Sequence, residues 1–230
     1  MKNNKKKCYW CGKTNDLNVE HYPPRCIYPN SYIKSGQAGY LNNVPSCSDH
    51  NNKLSSSDWK AEIYIKHLAF QNNKMDKKEF FNTLKKSKRM QINFSCWLDN
   101  NEPIDVYYKN TNIFLKSGIG LTLDECDIFT EKISRALIYD EENIILKKMK
   151  YYDMNNRLYK KEIYFKYKEY FDIFKNVFEK SEIPWKNSTK MKNNYMKKIF
   201  NYNYYISEKY IFVKLNFYEN SLILYSVFEK

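Results

Sequence analysis

Cys8-Tyr9-Trp10-Cys11, Val19-Glu20-His21-Tyr22-Pro23-Pro24-Arg25 and Asn42-Asn43-Val44-Pro45-Ser46-Cys47-Ser48-Asp49-His50-Asn51 lie within one stretch, and its reading decides the fold. Cys8 and Cys11 form one close pair, Cys47 and His50 a second, each with two residues between its members. A tight knuckle between such residues turns both side chains toward one point, so two pairs can share a tetrahedral ion. Three thiolates and one imidazole suit a closed Zn²⁺ site. The expected role of that ion is to tie the start of a first strand to the start of a helix. A small unit with two short strands has little core of its own and gains stability from such a cross-link.

Outward from this clamp, Leu17 to Tyr22 alternates apolar and polar residues, as a short strand does, and Pro23-Pro24 stops it. Residues 25–40, with Pro29, Gly36 and Gly39, read as a loop, and Leu41 to Ser46 as a return strand. Ser55 to Asp58 is a run of helix N-cap residues. Trp59, Ile63, Leu68 and Phe70 then predict a helix over 58–71 with one apolar face. Further along, a short basic helix is expected within 76–90, and one or two strands between Ile104 and Leu115. Cys126, Phe129, Ile133, Ala136 and Leu137 recur in steps of three and four, which predicts a helix over 123–139. A helix is expected at 166–179. Strands are expected at Tyr202–Tyr205, Tyr210–Tyr218 and Leu222–Phe228, with a hairpin turn at Glu219-Asn220-Ser221.

The chain has 230 residues, 43% of them hydrophobic, enough for one larger domain or two small ones. A formal net charge of +13 favours a polyanionic partner, although a Lys- and Asn-rich composition also follows from an AT-rich genome. No stretch reaches the roughly 20 apolar residues of a membrane helix, and no apolar run follows Lys2 to Lys7, so no membrane partner and a cytoplasmic location are expected. Of the six cysteines, Cys96 and Cys126 have no close partner and read as small buried hydrophobes.

The order of these features resembles the zinc-braced HNH endonucleases over residues 8–60. It runs knuckle, acid–histidine pair at a strand end, Pro-containing loop, Asn before Val-Pro-Ser-Cys, second knuckle and closing Asn. The resemblance implies an α+β chain. Its N-terminal unit, residues 1–71, would have the ββα-metal fold, and residues 72–230 would form a mixed helix/strand accessory region ending in antiparallel strands. It implies a phosphodiester hydrolase acting on nucleic acid, DNA before RNA, with one catalytic Mg²⁺ or Mn²⁺ beside the structural zinc. His21 matches the general base, since a neutral imidazole can take a proton from the attacking water. Glu20, where the family usually has Asp, matches the acidic ligand of the catalytic ion, and Asn51 the third motif position that also binds it. Asn42 matches the central Asn that holds the base loop, with Asn43 one residue away as the alternative. His50 is placed in the clamp by its spacing from Cys47; a rival register makes it the third motif residue and leaves the clamp three ligands. Arg25, Lys53 and Lys60 lie near the motif, where they would neutralise phosphates. The family's usual settings imply a defence or toxin nuclease, with a protein partner or a second copy meeting the accessory region.

The competing reading is a zinc-braced nucleic-acid-binding module that does not cleave. A zinc deaminase is disfavoured, because no His-x-Glu precedes a Pro-Cys-x-x-Cys and here the acid comes before the histidine.

Overall fold

The computed structural model of the chain describes residues 6–36, 41–54, 58–85, 104–107, 114–117, 123–147, 149–154, 184–190 and 194–230. The helix expected at 166–179, Cys96 and the 86–90 end of the basic helix lie outside the described residues, as do the side chains of Cys126 and Lys53.

Strand β1 (Leu17–His21) pairs antiparallel with β2 (Asn43–Cys47), with Leu17 opposite Cys47 and His21 opposite Asn43. The connection between them is less irregular than its prolines and glycines imply. It holds a single 3-10 turn at Arg25–Ile27 and a short helix α1 (Asn30–Lys34). Pro24 and Pro29 occupy the positions just before these two elements, where a missing N–H costs nothing. Helix α2 (Ser48–Leu54) follows β2 directly, so the second knuckle lies across a strand-to-helix junction. Next come α3 (Asp58–Gln71) and α4 (Lys77–Leu84), the latter capped by the Asp76 side chain accepting from the Glu79 N–H at 2.8 Å.

Strands β3 (Ile104–Tyr107) and β4 (Phe114–Ser117) pair with each other. The long helix α5 (Leu123–Glu142) leads to β5 (Met149–Met154). Then come β6 (Lys186–Asn187), α6 (Asn194–Ile199), β7 (Phe200–Ile206), β8 (Tyr210–Phe217) and β9 (Leu222–Glu229). The last sheet is antiparallel, in the order β5-β9-β8-β7-β6. The turn between β8 and β9 is where the sequence places it. Tyr218, Glu219 and Asn220 all adopt positive φ, and the Asn216 side chain accepts from the Asn220 N–H at 2.8 Å.

The chain is therefore mixed α+β with antiparallel sheets. Its core is continuous from the N-terminal strands to the C-terminal sheet: Tyr9, Tyr22 and Ile27 belong to the same buried cluster as Phe129, Tyr202 and Leu224. Two hydroxyl contacts reinforce this. Tyr218 donates to the Ile27 carbonyl at 2.7 Å, and Tyr22 donates to Asp140 at the end of α5.

Helix α3 differs from a surface helix with one apolar face. Ile63 and Ile65 are buried, but so are Glu62 and Lys66, while Trp59 and Phe70 are only half-buried. Lys66 donates to Glu62 at 2.8 Å, to Thr83 Oγ1 and to the Tyr28 carbonyl, both at 3.3 Å. Packing of other elements on several sides of α3 buries polar positions along with apolar ones, and each buried charge then needs a partner.

Candidate functional site

The first knuckle closes through its backbone. The Gly12 N–H donates to the Cys8 carbonyl at 2.9 Å and the Cys8 N–H to the Lys13 carbonyl at 2.8 Å. Gly12 has φ +78°, in the left-handed region, and a Cβ there would approach Ile145 to 3.3 Å. The Tyr9 N–H donates to the Pro45 carbonyl at 2.9 Å, which anchors the knuckle on β2. Cys47 ends that strand and His50 lies in the first turn of α2.

These elements bring the ligand atoms of Cys8, Cys11, Cys47 and His50 within 4.8 Å of one another. Cys11 Sγ is 3.8 Å from Cys47 Sγ, and His50 Nδ1 is 3.1 Å from Cys47 Sγ and 3.9 Å from Cys8 Sγ. Bonds of ~2.3 Å to sulfur and ~2.0 Å to nitrogen give tetrahedral edges of roughly 3.5–3.8 Å, so spacing and donor set both suit zinc. Burial works against the Cys8 thiolate, but backbone hydrogen bonds from Cys47, Cys11 and Trp10 outweigh it and lower its pKa. His50 presents Nδ1 to the sulfurs, as the four-ligand register requires. Its ring is held by Trp10, stacked at 5.4 Å, and the Arg135 guanidinium carbon lies 4.4 Å from the centre of the same indole ring.

Arg135 in turn is fixed from α5. It donates to Glu131 Oε1 at 2.9 and 2.7 Å, to the Lys147 carbonyl at 2.5 Å and to the Leu146 carbonyl. Neither Trp10 nor Arg135 stands out in the sequence as part of the centre. The signal for Arg135 is its place on α5 next to the apolar stripe, at Ala136 and Leu137.

His21 ends β1 and is half-buried. Burial lowers its pKa, a backbone hydrogen bond with Asn42 pulls the other way, and the charge of Arg25 adds to the lowering. Its Nδ1 is buried without a hydrogen-bond partner. Arg25, in the 3-10 turn just beyond, is exposed. Asn42 is half-buried, and its carbonyl accepts from the Tyr22 N–H at 3.1 Å, so its main chain holds the residue after His21. Asn43 is exposed, its side chain donating to the Leu41 carbonyl at 3.5 Å. Asn51 is half-buried in α2, and Lys60 stands over Trp59 at 5.7 Å.

Glu20 has a partner that sequence reasoning missed. It is buried, and its Oε1 accepts from Lys132 Nζ at 3.0 Å. Lys132 also donates to Asp58 Oδ2 at 2.7 Å, so one ammonium joins β1, the start of α3 and the middle of α5. Burial raises the Glu20 pKa against the pull of Lys132, and burial pushes the Asp58 carboxyl up to about 6. The clue lay in the α5 pattern. Lys132 falls on the stripe defined by Phe129, Ile133 and Ala136, a place where a charge is either an error or a partnered group.

Comparison with protein-family models, with curated proteins and with solved structures finds no match. No helix among the described residues is long and apolar enough to cross a membrane.

Proposed function

We propose that the chain is a metal-dependent HNH-type endonuclease that hydrolyses phosphodiester bonds of nucleic acid, DNA before RNA. The observation that carries this reading is the junction itself: two antiparallel strands run directly into a helix, a four-ligand cluster closes one end, and His21 stands at the other end of β1. In this reading the unit is a ββα-metal unit braced by zinc. Neutral His21 takes the proton of the attacking water, and its lowered pKa keeps it neutral at physiological pH. Arg25 faces the phosphate backbone, and Asn42 fixes the segment after the base. Glu20 keeps one buried oxygen without a partner, and this oxygen with Asn51 would hold the divalent ion. That ion, when bound, supplies charge stabilisation for the phosphate oxygens and the leaving oxygen.

The net charge of +13 supports a nucleic-acid substrate. A defence or toxin role, with a partner protein or second copy on residues 72–230, belongs to the same proposal. The test is cleavage of plasmid, linear and single-stranded DNA and of RNA with Mg²⁺ or Mn²⁺, comparing the chain with His21→Ala. The expected result is cleavage that drops by roughly 10²–10⁴-fold in the variant while binding persists. Cleavage that is indifferent to His21 would remove the reading.

A second reading, a zinc-braced binding module without cleavage, draws on the Lys132–Glu20 ion pair, which already engages the acid beside His21. All four substrates left intact with either ion, together with salt-dependent binding, would favour it.

A further inference from the structure

The clamp residues are unequally sheltered. Cys8 is 0% and Cys47 3% exposed, whereas Cys11 is the one exposed cysteine among the described side chains. Cys26 is half-buried, and its Sγ donates to the Asp58 carbonyl at 3.7 Å, away from the cluster. Lys13 and Asp49, which flank the two knuckles, pair at 3.2 Å with 57% and 56% of their side chains exposed. The cluster therefore has one edge open to solvent, and Cys11 stands on it. Cys11 Sγ is 3.8 Å from the buried Cys47 Sγ, against ~2.0 Å in a disulfide, so a shift of under ~2 Å joins them. The backbone on either side is already tied. Tyr9, inside the first knuckle, donates its N–H at 2.9 Å to the carbonyl of Pro45, two residues before Cys47. A reachable sulfur is thus coupled to a sheltered one, the arrangement that reversible thiol oxidation needs.

We propose that Cys11 is an oxidative modification site: a hydroperoxide oxidises it, Cys47 closes on it as a Cys11–Cys47 disulfide, and the clamp gives up its zinc. The Cys11 sulfur attacks the peroxide, the O–O bond breaks, and Cys11 becomes a sulfenic acid while the other oxygen leaves as an alcohol, or as water from hydrogen peroxide. The Cys47 sulfur then attacks the Cys11 sulfur, the S–S bond forms, and the sulfenic oxygen leaves as water. In sum, two thiolates, one hydroperoxide and two protons give one disulfide, one water and one alcohol, and two electrons pass from sulfur to oxygen. Cys8 and His50 remain, too few to hold the ion. The disulfide keeps the first knuckle on β2 but no longer on α2. The inference rests on the zinc clamp and uses the nuclease reading only for its consequence, which is that oxidation loosens the helix carrying Asn51.

The experiment treats the zinc-loaded full chain with hydrogen peroxide beside a chromogenic zinc chelator, counts free thiols, and maps the oxidised chain by tryptic mass spectrometry. One zinc released for every two thiols lost is expected, with dithiothreitol and zinc restoring the starting state. Cleavage at Lys7, Lys13, Lys34 and Lys53 leaves Cys8 and Cys11 in one peptide and Cys47 in another, so the expected disulfide joins two peptides, and fragmentation assigns it to Cys11. Cys11→His makes an ordinary two-cysteine, two-histidine set that still holds zinc, and peroxide should release that zinc roughly tenfold more slowly. Cys26→Ser should release it at the wild-type rate. Zinc kept while clamp thiols are lost, a disulfide within the Cys8–Cys11 peptide, or sulfinic acid at Cys11 without a disulfide would each overturn the inference. So would Cys11→His losing zinc to peroxide as fast as the wild type. Should that variant fail to fold, the peptide map of the wild type still decides. A chain that takes up no zinc sinks the clamp and this inference with it; a zinc-loaded chain that peroxide leaves untouched sinks this inference alone. Zinc released through the mapped disulfide, in a chain that cuts no nucleic acid, would remove the nuclease reading and leave Cys11 standing.

Discussion

Lys132 Nζ lies 3.0 Å from Glu20 Oε1, so the residue next to the candidate base His21 is held by a cation from a helix more than a hundred residues further along the chain. The candidate site is thereby built into the core of the whole described chain rather than into residues 8–60 alone. Both partners are nearly free of solvent contact, so their attraction is little screened and neither can be removed without exposing the other.

Removing Lys132 should therefore be severe. Lys132→Met leaves Glu20 and Asp58 as like charges buried together, and a loss of about 3–5 kcal/mol is expected. Adding Asp58→Asn should restore part of it. Chemical denaturation of the two single variants and the double variant, without added divalent ion, measures this coupling.

The clamp predicts that Cys8→Ser with Cys11→Ser abolishes bound zinc. The thermal midpoint should fall by about 10 °C, because a cross-link between the knuckle, β2 and α2 is lost. Elemental analysis and calorimetry check both. Zinc at wild-type content in the double variant would exclude this ligand set.

Arg135 should matter to the same centre without touching it. Arg135→Ala removes a guanidinium stacked on Trp10 and bonded to two carbonyls and Glu131, at a cost of about 2–4 kcal/mol. Faster zinc transfer to a chromogenic chelator is expected, since His50 loses its braced stacking partner. Arg135→Lys should recover little, because an ammonium cannot reproduce the planar fork.

Cleavage, in the proposed function, should depend on His21 being neutral. Its pKa is lowered from the usual imidazole value by burial, so the acid limb of the rate profile should lie below pH 6.5 and the rate should be flat at neutral pH. A rate still climbing well above pH 7 would point to a different base.

His67 offers a stability test by pH. Both of its ring nitrogens are buried without partners, its ring lies 5.8 Å from that of Phe80, and burial lowers its pKa. A depressed histidine binds fewer protons folded than unfolded, so its contribution is present above the unfolded pKa and is lost as pH falls below it. His67→Leu should lose less stability than the wild type between pH 7 and pH 5 in denaturant titrations.

Local pattern carried the N-terminal unit. The two spacings that define the knuckles and the alternation over Leu17–Tyr22 are short-range signals, and the structure places β1, β2 and the four clamp residues accordingly. The helix read over 58–71 coincides with α3, and the one read over 123–139 extends as α5 to Glu142. The pieces missed were those with weak local signal. Strand β6 has only two residues, α6 only six, and β5 finds its partner β9 across a long stretch of chain.

The sequence by itself determined which residues can ligate zinc, where the strands and helices of the motif begin, and where His21 falls among them. These depend on side-chain chemistry and on periodicities of a few residues. Only the tertiary structure decided that Lys132 answers Glu20 and Asp58, and that Arg135 braces His50 through Trp10. A buried charge chooses its partner by proximity after the helices pack, and nothing in the spacing along the chain records that choice.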